Sequence, residues 1–255
     1  MLFRSGGTFV ARSAPDGYTV LAGSAGSMVG PVAFATKPPY DPLNDLLPVV
    51  LVVRTPNFIF VKGSSPVNSI GDLVALAKAQ PGKLSFGSAG VATSTHIAGE
   101  MIKSMTGVSF VHVPYKGTPA SLADLLAGQV DFIVGDTSPI PMIKDGRVRA
   151  LGSTLATRSA LTPEVPTIAE TGLAGYEVTN WHGWYVPAGT PREVIVRLNA
   201  AVVAALADPE VRAKLLAGSL EPVGNTPEYL ASYMREDIAR WKAVAVKNNI
   251  KVEQQ

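Results

Sequence analysis

The sequence predicts an α/β fold in two lobes with mainly parallel sheets, and three observations carry that expectation. Short β-rich runs alternate with helical patterns from Gly17 to Gly152, the pattern of strands joined by crossover helices. The last third switches to helices with Pro in or beside their first turns, at Pro191, Pro209 and Pro227. A chain of 255 residues, 47% hydrophobic and 16% charged, can bury a large core without disorder.

Each element has its own signal. Gly17–Ala22 reads as a buried strand ending in Gly23-Ser24-Ala25-Gly26, and Pro48–Val53 and Phe58–Val61 are further strands separated by Pro56. Ser69–Ala79 places Leu73, Leu76 and Ala77 on one helical face before Pro81-Gly82 stops it. Leu84–Phe86 is a strand leading through Gly87-Ser88-Ala89-Gly90 into a helix over Ser94–Met105. Phe110–Val113, Val130–Val134 and Val148–Gly152 follow as strands, with helices at Ala120–Leu126 and Pro139–Lys144. Residues 157–175 read as loop and Tyr176–Val186 as a long strand or connector. Three helices close the chain, with Thr190, Asp208 and Thr226 at the N-cap positions. Strand–helix alternation followed by a helical tail suggests a chain that leaves one domain and returns, crossing near 54–57 and 180–185. Residues 1–56 and 182–255 would then form one lobe and 57–181 the other.

Composition excludes several functions. Without cysteine there is no disulfide framework, thiolate zinc site or Cys nucleophile. His96, His112 and His182 lie far apart with no HxxxH or HExxH spacing, which argues against a metal site. A net charge of +2 with scattered Lys and Arg gives no nucleic-acid surface. No apolar run approaches the roughly 18 residues of a membrane span.

Eight short strings then stand in a telling order: Pro15–Thr19, Tyr40–Pro42, Pro81–Leu84, Ser94–Glu100, Val113–Gly117, Leu126–Asp131, Pro163–Thr167 and Pro187–Pro191. From about Gly7 to the C-terminus the chain resembles the Bug or TctC-like substrate-binding proteins of tripartite tricarboxylate transporters. The resemblance implies a type II periplasmic-binding-protein-like fold, with a small mono- or dicarboxylate held between two lobes. It also implies export to the periplasm, delivery to membrane permease subunits, no cofactor and no catalysis. Against the family pattern the chain reads as truncated, with its first lobe lacking an N-terminal strand–helix–strand unit. The opening Met1–Ser5 shows neither the layout of a signal peptide nor a cleavage site.

A carboxylate needs donors aimed at it, and a helix N-terminus supplies free N–H groups and partial positive charge. The candidate contacts are therefore Ser88, Gly90, Thr93, Ser94 and Thr95 at one helix start, with His96 just inside it. Gly23, Ser24, Ala25 and Gly26 are the equivalent turn on the first lobe. Tyr115 and Lys116 follow a strand, and Lys116 can attract an anion. Asp136 is a polar anchor for a hydroxyl, an amine or water, or else a cap on the segment from Ser138. Aromatic Trp181 and Trp184, beside His182, suit packing near the second crossing. One competing reading takes Ala22–Gly26 as a loose nucleophile elbow, with Ser24 as nucleophile, His182 as base and Asp136 or Asp145 as acid. The segment after Ser24, with Gly30 and Pro31, looks too poor a helix former for that reading.

Overall fold

A computed structural model describes residues 2–34 and 40–250 of the chain, and only the backbone for residues 2–5 and Pro31. Met1 of the opening stretch lies outside the described residues. The chain divides into two compact units, one built from residues 1–55 and 180–255 and the other from Pro56–Thr179.

The first unit opens with α1 (Leu2–Ala11), β1 (Leu21–Ser24), α2 (Ala25–Met28), α3 (Gly30–Phe34) and β2 (Leu46–Thr55). Helix α1 has no clear sequence signal, because Gly6 and Gly7 are poor helix formers. Tertiary packing supplies the reason for it: Gly7 lies so close to the Tyr40 ring that a Cβ there would overlap it. The strand expected over Gly17–Ala22 sits further along, because Gly17 has φ +86° and Asp16 accepts the Tyr18 N–H in a turn. The segment after Ser24 also departs from expectation, since Gly30 and Pro31 fall at the start of α3. Pro needs no N–H partner in a first turn.

The second unit holds β3 (Phe58–Lys62), α4 (Ile70–Ala79), β4 (Ser85–Ser88), α5 (Ser94–Thr106), β5 (Val111–Pro114), α6 (Thr118–Ala127), β6 (Phe132–Gly135), α7 (Pro141–Lys144) and β7 (Val148–Ser153). Ser69 caps α4 by accepting the Asp72 N–H, while Gly107 and Gly128 close α5 and α6 in the left-handed conformation. Ile97 and Ile102 of α5 are fully buried, as their spacing predicts, and Phe58, Phe60, Leu125 and Ile133 pack in one core cluster.

The chain then re-enters the first unit with β8 (Asn180–Pro187), α8 (Arg192–Ala207), α9 (Pro209–Ala217), β9 (Glu221–Pro222) and α10 (Pro227–Lys247). Asp208 caps α9 and Thr226 caps α10. Thr190 does not cap α8. Pro191 holds that position, and the Thr190 hydroxyl donates instead to Pro187 O at 2.8 Å.

Among the described residues the first unit's sheet runs β1-β8-β2-β9 with antiparallel neighbours throughout. The second runs β5-β4-β6-β3-β7, where β4 is parallel to β5 and β6 while β3 is antiparallel to β6 and β7. Only the second of these sheets is thus mixed, and between the named strands parallel pairing is confined to β4 and its two neighbours rather than predominant. The physical reason is connectivity. β4, β5 and β6 follow one another through the crossover helices α5 and α6, as parallel neighbours require, while β3 lies between β6 and β7 and runs opposite to both.

Candidate ligand-binding site

In the second unit, the C-terminal ends of β4, β5 and β6 point the same way, and successive crossovers run to opposite sides of β4. Open α/β sheets form a crevice at such a reversal. Three connections converge there. Tyr115 N–H donates to Ser88 O at 3.0 Å, a Cβ on Gly90 would lie 3.3 Å from Tyr115 O, and Asp136 N–H donates to Thr118 Oγ1 at 3.2 Å.

The β4–α5 connection is tied down internally. Thr93 caps α5, accepting the His96 N–H, and its hydroxyl reaches Gly90 O at 2.7 Å and Thr95 Oγ1 at 2.8 Å. Ala89 N–H donates to Thr95 Oγ1, Gly90 N–H to Ser88 Oγ and Ala92 N–H to His96 Nδ1. Most loop amides that sequence reasoning would aim at a carboxylate are therefore occupied. Those of Val91, Ser94 and Thr95 have no partner among the described residues, and they open the 13-residue α5.

The candidate side chains divide accordingly. Ser88, Ser94, Thr95 and His96 are buried and engaged: Ser94 Oγ accepts from Asn57 Nδ2 at 3.1 Å, and Ser88 Oγ lies 2.7 Å from His112 Nε2. His96 and His112 stack with centroids 4.0 Å apart. Burial, then His112 and Lys103, pushes His96 down to about 3, while burial and then Lys103 take His112 to about 4. Both rings are neutral at neutral pH, since a cation is costly in that dry, positively flanked setting. Glu100, one turn beyond His96 and buried, pairs with Lys103 at 2.8 Å.

Tyr115 donates its hydroxyl to Asp124 at 2.7 Å, and burial followed by that carboxylate raises its pKa to about 12. Lys116 beside it is exposed. Gly117, at φ +106°, begins α6 with no side-chain cap. Asp136 accepts the Ser138 N–H at 2.9 Å, forming a turn rather than a helix cap, since α7 starts only at Pro141. Thr118 was not singled out from sequence, yet it joins the β5 and β6 connections. The Gly-Thr-Pro run at a helix start was the available signal. Gly135 leaves it room, because a Cβ there would meet Thr118 Cγ2 at 2.7 Å.

In the first unit, Ser24 and Ser27 form a capping box around α2, and Tyr40 donates to Ser27 O at 2.5 Å. Ala25 is fully buried. Gly23 is required by close packing, as a Cβ there would lie 2.7 Å from Met28 Sδ. Ser24 and His182 are register partners across β1 and β8, but the Ser24 hydroxyl is bonded within its own turn at Ser27. Asp136 and Asp145 belong to the other unit. No triad is assembled by these contacts. Among the described residues no cluster of three or more His, Cys, Asp or Glu can hold a metal ion, and no helix is long and apolar enough to cross a membrane.

Comparison with known proteins gives this arrangement its context. Residues 5–250 match the tripartite tricarboxylate transporter family receptor, TctC. The UPF0065 protein of the tcbD–tcbE intergenic region of Pseudomonas sp. strain P51 is 39% identical over 251 residues, covering 98% of this chain and 74% of the relative. The solved structure of R. palustris Rpa4515 with adipate is 34% identical with a TM-score of 0.84, over 97% of this chain and 83% of that one. MatC from Rhodopseudomonas palustris, with bound malate, is 30% identical with a TM-score of 0.78, over 94% and 83%. The chain belongs to the tripartite tricarboxylate transporter receptor family, whose members are solute-binding receptors and not enzymes.

Proposed function

We propose that the protein is an extracytoplasmic solute-binding protein that captures a small mono- or dicarboxylate in the periplasm and delivers it to the permease subunits of a tripartite tricarboxylate transporter. The observation that carries this reading is the convergence of the 88–96, 115–118 and 135–138 connections at the C-terminal ends of three parallel strands. The start of α5 faces that convergence with amide donors not used elsewhere, and the neighbouring Lys116 favours an anion. The Val91, Ser94 and Thr95 amides, with Gly90 and Thr93 beside them, are the proposed carboxylate contacts. Ser88, His96, Tyr115 and Thr118 shape the loops that present them. Asp136 is proposed to hold a ligand hydroxyl or a bound water. The Gly23–Gly26 turn is proposed as a contact on the family resemblance alone. Relatives that hold adipate and malate support the ligand class.

A thermal-shift screen of the protein against adipate, malate and shorter monocarboxylates, with an ester assay alongside, tests the reading. A ligand at about a hundred times its Kd adds about 2.7 kcal/mol, roughly 5 °C or more in Tm for a chain of this size. A shift with one carboxylate and no ester turnover is the expected result. No shift across the panel overturns ligand capture, and ester turnover lost in Ser24→Ala overturns the receptor class.

A further inference from the structure

Ala92 stands at φ +63°, a left-handed conformation that an alanine, with no polar side chain to stabilise it, adopts only under constraint. The constraint is visible. Its N–H donates to His96 Nδ1 at 3.2 Å, four residues ahead on the first turn of α5. The imidazole that accepts it cannot easily turn away. It is buried, stacked at 18° on His112, which in turn stacks on Phe86 at 4.8 Å and meets Ser88 Oγ at 2.7 Å. Ser88 Oγ takes the Gly90 N–H. Two stacked rings therefore anchor both residues that flank Val91, one directly and one through a serine.

We infer that His96 is a positioning residue, whose Nδ1 lone pair holds Ala92 in the left-handed region and so sets the shape of the β4–α5 loop and the direction of its Val91 amide. The inference rests on the reading above only in taking this loop to be the one a carboxylate meets. The proton count is consistent. A ring that accepts at Nδ1 carries its proton on Nε2, on the side of Glu100 Oε1 at 3.9 Å. Burial and neighbouring positive charge keep the ring neutral, and only a neutral ring has that lone pair. Phe at this position would keep the stack and lose the acceptor. Asn places its side-chain oxygen near the Nδ1 position and restores one. Gly at 92 removes the conformational penalty that makes the acceptor necessary.

The test has a ligand-free arm and a ligand arm. Long-range nitrogen NMR of the wild-type protein at neutral pH should show His96 as the Nε2–H tautomer. Amide exchange at Ala92 should be slow in the wild type and in His96→Asn, and at least about tenfold faster in His96→Phe. Titration with adipate should show His96→Phe binding about tenfold more weakly, with His96→Asn near wild type and the His96→Phe/Ala92→Gly double variant recovering most of the loss. An Nδ1–H tautomer, or unchanged exchange at Ala92 in His96→Phe, overturns the inference whatever adipate does. Failure of the wild type to bind any carboxylate overturns the proposed function and leaves the ligand-free arm to decide His96. Equal affinity loss in His96→Phe and in the double variant shows that His96 acts through packing, and also overturns it.

Discussion

Trp181 donates its indole N–H to the Asp237 carboxylate at 2.6 Å, joining β8 to α10 with both side chains almost fully buried. Asp237 also holds Arg240 at 3.1 Å on its own helix. A buried carboxylate costs several kcal/mol of solvation unless donors surround it, and these two supply that compensation. Asp237→Ala removes the acceptor and leaves a buried N–H unsatisfied. It should cost about 2–4 kcal/mol, whereas Asp237→Asn, which keeps an oxygen, should cost about 1–2 kcal/mol. Urea unfolding midpoints at constant m-value measure both, and equal losses would show that charge is the feature that matters.

Gly99 packs against the Phe86 ring so closely that an added Cβ would overlap it. Phe86 stacks on His112 and on Phe132, so a shift propagates along the whole ring column. Gly99→Ala should therefore destabilise the protein by about 1–3 kcal/mol despite the better helix propensity of Ala. A gain in denaturation midpoint would mean that the column slides freely.

The two stacked histidines also predict acid sensitivity. Their folded pKa values are held down to about 3 and about 4, against 6.5 for an unperturbed ring. As the pH falls below 6.5 the unfolded chain takes up these protons first. The contribution to stability is therefore complete above that pH and is lost progressively as the pH falls towards 4 and then 3. Denaturation of wild type and of His96→Asn/His112→Asn at about pH 7 and about pH 4.5 should show a smaller acid-dependent loss in the double variant. Parallel losses would assign the acid sensitivity to other groups.

Lys116 is exposed next to the proposed carboxylate loops. Lys116→Ala should weaken adipate binding about two- to fivefold at low ionic strength, and the difference should shrink near about 1 M salt. A salt-independent effect would point to a structural change at the start of α6 instead.

Most of the elements could be read from the sequence because their signals are local. Ser69, Asp208 and Thr226 cap where short polar residues precede helical runs, and Gly107 and Gly128 end helices as only glycine does cheaply. The strings around Ser94–Glu100 and Val113–Gly117 also carried the family, and with it the ligand class. Two other features escaped because their causes lie elsewhere in the chain. Helix α1 depends on Tyr40 lying against Gly7, and β1 on pairing with β8 rather than on propensity.

Local patterns in the sequence suffice for the α/β class, the helical tail and the absence of thiol chemistry, and they single out the loops proposed here to meet a carboxylate. Which atoms in those loops remain available depends on contacts made by folding. A hydroxyl or amide looks the same in sequence whether water or a neighbour satisfies it. Folding brings Ser88 to His112, Asn57 to Ser94 and Tyr115 to Asp124, and leaves Val91 and the first turn of α5 with donors to spend on something outside the chain.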